Sequence, residues 1–257
     1  MKIFYIIITS LLIFSCPVVA QNKGILYYKL TTNDKRTHNP RTENYQLFFA
    51  GDKSIQFFMP QVVKEEFKQI DDNTGGKTVV FNTKNNNLPF LFKDFRNHKI
   101  ILTNNIQFKD YLINDTLVNF DWKITNERKQ ILKYTCIKAT TKFRGREYEA
   151  WFTEDVPTRV GPWKFNSLPG LIVKVNDIDN IYTFELTAAD FETKFDPRKI
   201  AVPENSKKDS GITHRQFIEL YAKKVKDLEA QSRASYVAKG NVTGITNITI
   251  PPLMEKF

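Results

Sequence analysis

Short runs of alternating apolar and polar residues recur along most of this chain, separated by clusters of turn-forming residues. They fall at 24–31, 44–50, 54–59, 77–82, 98–103, 106–113, 117–125, 133–142, 146–153, 171–176 and 181–188. Alternation at period two marks strands with one buried face. Asp71-Asp72-Asn73-Thr74-Gly75-Gly76, Asn85-Asn86-Asn87 and Asn176-Asp177-Ile178-Asp179-Asn180 are the clearest breaks. Strands that follow one another without helices pair as antiparallel neighbours, and a sheet of so many must curve or close. The run Leu88-Pro89-Phe90-Leu91-Phe92 is too short to assign.

The clearest hairpin spans 134–153 and turns at Arg144-Gly145. A two-residue turn sets Lys142 opposite Glu147, Thr140 opposite Glu149, Lys138 opposite Trp151 and Cys136 opposite Thr153. Ile137, Ala139, Tyr148, Ala150 and Phe152 then share the core face. The other face offers a Lys142–Glu147 charge pair and a cation–π contact between Lys138 and Trp151. On that face Trp151 and Cys136 either rest under a covering element or line a concave surface, which makes them the candidate ligand-binding residues.

After 190 the composition turns to Pro, Lys and Asn, and 190–211 reads as an irregular connector. Thr213 with Gln216 forms a capping box. Phe217, Leu220, Tyr221, Val225 and Leu228 follow at helical spacing. These signals predict a helix over 214–233, docked on the open side of the sheet, with a polar tail at 241–257 along the surface. The fold class expected is mainly β: a curved antiparallel sheet or half-barrel, similar to periplasmic lipoprotein carriers, with one C-terminal α-helix. Residues 21–240 form a single domain.

Ahead of it, Met1-Lys2, an apolar run over 3–14 and Val18-Val19-Ala20 have the layout of a secretory signal peptide at 1–20. Cleavage is expected after Ala20, with a lipid anchor on Cys16 as the alternative. The mature chain is expected to have no transmembrane span, because no other segment reaches the roughly 18 apolar residues a span requires. Export places the protein in the periplasm or at the outer-membrane periphery. Either processing route leaves Cys136 as the remaining cysteine, so the fold holds by packing and not by an internal disulfide. A hydrophobic content of 41% suffices for that. The net charge of +10 would point to nucleic acid in a cytosolic protein. In an exported one it points to anionic surfaces or solubility, and no nucleic-acid partner is expected.

One segment stands apart from the alternation. Gly161-Pro162-Trp163-Lys164-Phe165-Asn166-Ser167-Leu168-Pro169-Gly170-Leu171-Ile172 sets two Gly/Pro breaks and two aromatics between strands. Leu168-Pro169-Gly170-Leu171 fits a type II turn, in which Gly170 would take the positive φ. With Lys133-Tyr134-Thr135-Cys136, the Lys138-Ala139 pair, Gly145-Arg146 and Ala150-Trp151, the stretch resembles the GLPGLI family of exported Bacteroidota proteins. Ser167 stands where that family has its first glycine. The resemblance implies export and a structural role for Gly161, Pro162, Trp163, Lys164, Phe165, Leu168, Pro169, Gly170, Leu171 and Ile172. It implies no reaction, substrate or cofactor.

His38, His98 and His214 lie far apart without metal-ligand spacing, and no phosphate loop, nucleophile elbow or paired acid/base signature occurs. The expectation is a non-enzymatic protein with no catalytic residues, no metal and no cofactor. With 21 Phe and 10 Tyr, binding of a lipid or other apolar ligand, or of an envelope partner, on a concave sheet is the leading reading. An accessory protein contacting outer-membrane machinery is the second. A Cys136-dependent enzyme is the third.

Overall fold

The computed structural model describes residues 23–33, 39–59, 69–71, 77–79, 88–106, 109–238 and 253–255, with side chains at all of these except 69–71, 77–79 and 232–238. The signal-peptide reading at 1–20, the breaks at 72–76 and 85–87, and most of the expected tail lie outside these residues.

Along the chain come β1 (Lys23–Thr32), β2 (Arg41–Ala50), β3 (Lys53–Met59), β4 (Gln69–Asp71), β5 (Lys77–Val79), β6 (Phe90–Asp94), β7 (Lys99–Ile106) and β8 (Lys109–Thr116). They are followed by β9 (Lys123–Ile131), β10 (Tyr134–Phe143), β11 (Arg146–Thr153), β12 (Leu171–Asp177), β13 (Tyr182–Asp190), β14 (Ile212–Thr213) and the helix α1 (His214–Ala238). Strands β4 and β5 form a separate ribbon, and the other twelve make one open sheet in the order β14-β8-β7-β6-β3-β2-β1-β13-β12-β11-β10-β9. Its ladders are antiparallel except β14 with β8, which is parallel. The fold class is therefore mainly β with one C-terminal helix, and the sheet is curved and not closed.

The curvature follows from what meets across it. Leu91, Ile100, Leu102 and Ile113 of β6 to β8 share one buried cluster with Ile137, Ala139, Tyr148, Ala150 and Phe152 of β10 and β11. Strands far apart in the order can pool side chains only if the sheet bends around them. Bulges at Tyr27/Tyr28, Ile137/Ala139 and Trp151/Phe152 supply local bends. The opposite face of β1, β2, β3, β6 and β8 buries Ile25, Phe48, Ile55, Phe90, Phe92 and Leu112 under Phe195 and Ile200. The connector after 190 is thus a seal over that face, with Phe195 meeting the Phe48 ring at 5.8 Å.

Several elements differ instructively from the pattern-based reading. The unassigned run after 88 becomes β6, a central strand whose five residues are all buried. The strand expected over 117–125 begins only at Lys123, because Leu117 and Phe120 go into the core as an extended segment outside the ladder. The hairpin has the expected register: Lys142 opposes Glu147 and Lys138 opposes Trp151. Its turn residues Arg144 and Gly145 both have positive φ, 42° and 72°, as a tight two-residue hairpin turn requires. In α1 the capping box forms, with Gln216 N donating to Thr213 Oγ1 at 3.2 Å and Thr213 N donating to Gln216 Oε1 at 2.8 Å. Phe217 is buried against the Tyr111 ring, whereas Leu220, expected on the apolar stripe, is 40% exposed. Among the described residues no helix is long and apolar enough to cross a membrane.

Candidate functional site

The glycine- and proline-broken segment does not stand off the sheet as a surface turn; it packs inside the curve. Trp163, Phe165 and Leu168 join the buried cluster shared by both ends of the sheet, and Val160 joins the neighbouring one. The backbone of this segment is held at nearly every step. Trp163 N donates to Gln56 Oε1 at 2.8 Å, Tyr28 Oη donates to Ile172 O at 2.7 Å, and Trp122 Nε1 donates to Asn166 O at 2.8 Å. Lys93 of β6, wholly buried, gives its ammonium to three carbonyls of the segment: Gly161 at 2.6 Å, Trp163 at 2.9 Å and Phe165 at 3.2 Å. Burial pulls Lys93 down to about 7.

This dense pinning holds two residues in left-handed backbone, Trp163 at φ +48° and Ser167 at φ +72°. The expected assignment of positive φ therefore needs correction. Gly170 lies outside the left-handed region, and the position that adopts it is Ser167. Gly170 is required for space instead, since a Cβ there would sit 2.0 Å from Thr153 O. The end of β11 passes so close behind the turn that no side chain fits.

At one end of the segment lies the densest charged cluster among the described residues. Asp115 of β8 accepts both arms of Arg144, at 2.7 and 2.8 Å, and Lys164 Nζ at 2.7 Å. Glu255 accepts Lys164 Nζ at 2.6 Å and Arg144 Nη1 at 2.8 Å, and also contacts His214 Nε2 at the start of α1. Asp115, Glu255 and Lys164 side chains are all under a tenth exposed. Burial alone would raise the Asp115 carboxyl, but Arg144 and Lys164 hold it well below the usual carboxylate range. Burial, then the Lys164 charge, lowers the His214 imidazole despite the Glu255 carboxylate beside it. Asp115, His214 and Glu255 present ligand atoms within 4.8 Å of one another. Two carboxylates are already balanced by one guanidinium and one ammonium, so a divalent cation would have to displace both. The cluster is built as an ion-pair lock and not as a metal cradle. Spacing of histidines could not reveal it, because its members come from five separate elements.

Trp151 and Cys136 do lie together, on the expected face of the hairpin, but both are buried with Tyr134, Val156 and Val160. The segment after β11 is thus the covering element. Burial pushes the Cys136 thiol up to about 11, so it is protonated at neutral pH and poorly nucleophilic. The cation on the Trp151 ring is Lys129 of β9, at 3.7 Å, and not the expected Lys138. Lys138 instead bridges Glu127 and Glu149, both at 3.1 Å, because β9 supplies a carboxylate within its reach.

Two solved structures of PNGF-II, in P21 and C2 crystal forms, are similar to this chain at 16% identity, with TM-scores of 0.48 and 0.49. They cover 79% of this chain and 34% and 33% of their own, so the chain spans about a third of their length. Nothing among the curated proteins matches. The model of the PNGase F-II N-terminal family, described as "N-glycanase peptide, N-terminal domain", matches residues 62–216, a span reaching from before β4 into α1. More than half of the chain lies in that match, and the protein belongs to the N-glycanase peptide N-terminal domain family.

Proposed function

We propose that this chain is a non-enzymatic, exported binding module that works by contact with an envelope protein partner. The observation carrying this reading is the occupied interior of the sheet. Trp163, Phe165 and Leu168 fill the curve where an apolar ligand would otherwise sit. Packing thus favours the accessory role over enclosure of a lipid. The protonated, buried Cys136 likewise offers little to an enzyme built on that thiol. The resemblance to GLPGLI proteins and the leader-like residues 1–20 support export.

A surface suited to such contact is β9, which ends the strand order and is exposed along most of its length. Ile124 within it and Leu132 just after it are 51% and 57% exposed. Lys123, Arg128, Lys129 and Lys133 outnumber Glu127 there. Lysines guard such edges against pairing with a like edge, so the expected partner strand is acidic. The test is crosslinking in intact cells with partner identification, alongside native mass spectrometry of the purified protein. A stable protein partner without co-purifying lipid is expected. Stoichiometric lipid, or no partner at any crosslinker length, would overturn the proposal.

The family description adds a second reading, contact with an N-linked glycan. Calorimetry with a glycopeptide and its unglycosylated twin separates the two. Heat from the glycopeptide alone favours it.

A further inference from the structure

Residues 253–255 return to the β10–β11 hairpin and are gripped in the manner of a bound peptide. Arg146 Nη2 donates to Leu253 O at 3.1 Å, and Tyr148 Oη donates to Met254 O at 2.7 Å. Met254 packs on the main core. Glu255 then enters the ion-pair lock of Arg144, Lys164 and His214. Two backbone carbonyls and a single carboxylate carry the recognition, which is the contact pattern of peptide-binding sites.

Charge makes the carboxylate necessary. Arg146 is matched by Asp177 at 3.1 Å, both buried. Arg144 and Lys164 face Asp115 and Glu255. Without Glu255, the buried Lys164 and the half-buried Arg144 would share one carboxylate, and the pocket would be one negative charge short. A lone anion could supply that charge but would leave Arg146 Nη2 and Tyr148 Oη without the carbonyls they now serve.

We propose that this pocket is an acidic-peptide recognition site, occupied in cis by the chain's own Leu253-Met254-Glu255, and that it accepts the same sequence presented in trans. The inference is independent of the envelope-partner reading, since it concerns a different surface and a different ligand.

The experiment uses the full chain carrying Glu255→Gln, which keeps the side-chain shape, and a fluorescent peptide corresponding to residues 250–257. Saturable binding is expected by anisotropy. It should weaken at least about tenfold when the peptide carries Gln in place of its glutamate. Tyr148→Phe in the same chain should weaken it about fivefold, the worth of one hydrogen bond near 1 kcal/mol. Acetate at equal concentration should not compete. On the unaltered chain, excess unlabelled peptide should speed hydrogen exchange at the amides of residues 253–255, a readout that does not depend on the variant folding. The proposal is overturned if the folded variant shows no saturable binding. It is equally overturned if the Gln peptide binds as well, if acetate competes as effectively as peptide, or if exchange at 253–255 on the unaltered chain ignores the peptide.

Discussion

Replacing Gly170 tests why the turn before β12 has the sequence it has. A Cβ at this position would lie 2.0 Å from Thr153 O, 2.7 Å from Thr153 C and 3.2 Å from Glu154 Cα. Non-bonded carbon contacts are comfortable at roughly 3.5–4.0 Å, so the backbones must separate by more than an ångström. All three opposing atoms are main chain, and no rotamer change can relieve the crowding. Separation would strain the Thr153–Leu171 pair, where β11 meets β12, and the bond from Leu171 N to Val156 O at 3.0 Å. Overpacking of this kind costs about 1–3 kcal/mol. With one or two disrupted hydrogen bonds at about 1 kcal/mol each, Gly170→Ala is expected to lose roughly 2–5 kcal/mol. Urea titration followed by tryptophan fluorescence measures this as a shift in midpoint with unchanged slope. The choice of substituent separates space from conformation. If the glycine served a positive φ, Gly170→Asn would be milder than Gly170→Ala, because Asn tolerates left-handed backbone. Crowding predicts the reverse order. Gly51, at φ +59° with nothing within 4 Å of its would-be Cβ, is the control in which Asn should be the milder change. A loss below about 1 kcal/mol for Gly170→Ala, or Asn milder than Ala at 170, would refute the steric account.

Other expectations follow from the same geometry. Ser167→Gly relieves a left-handed serine by about 1 kcal/mol but adds unfolded-chain entropy of similar size, so its urea midpoint should stay near wild type. Ser167→Val should lose about 2 kcal/mol or more, because a β-branched side chain resists positive φ. Lys93, at about 7 in the folded protein and 10.5 when unfolded, binds less proton in the folded state across that window. Its contribution is fully present above the unfolded value and is lost as pH falls through the folded one. Stability should therefore rise from pH 7 to 8.5 with a slope of up to about 1.4 kcal/mol per pH unit; Lys93→Met should flatten that rise, and a flat wild-type profile would contradict the assignment. Cys136, pushed up to about 11, should react with iodoacetamide far more slowly in folded protein than in urea. Fast alkylation under folding conditions would reopen an enzymatic role.

The sheet, its hairpin register, the helix cap and the break between β12 and β13 were legible in the sequence. Period-two alternation, a two-residue Arg-Gly turn and a Thr-x-x-Gln cap act over neighbouring residues, so the residue order itself carries them. Patterning failed where burial replaced pairing. Leu117 and Phe120 are apolar because they plug the core, while the neighbouring strand β9 is polar because it ends the sheet. It failed again at Gly170, whose reason is a strand end coming from elsewhere in the fold.

The candidate site was out of reach of such reasoning. Arg144 meets Asp115 across 29 residues of sequence and Glu255 across 111. Lys93 reaches carbonyls some 70 residues away. The sequence alone determined that strands of this kind would form a bent sheet backed by one helix. Only the tertiary structure decided that the motif would become its filling and that Glu255 would complete a buried ion-pair lock. Local patterns record which face of a strand avoids water; which charges meet inside depends on how the whole sheet curves.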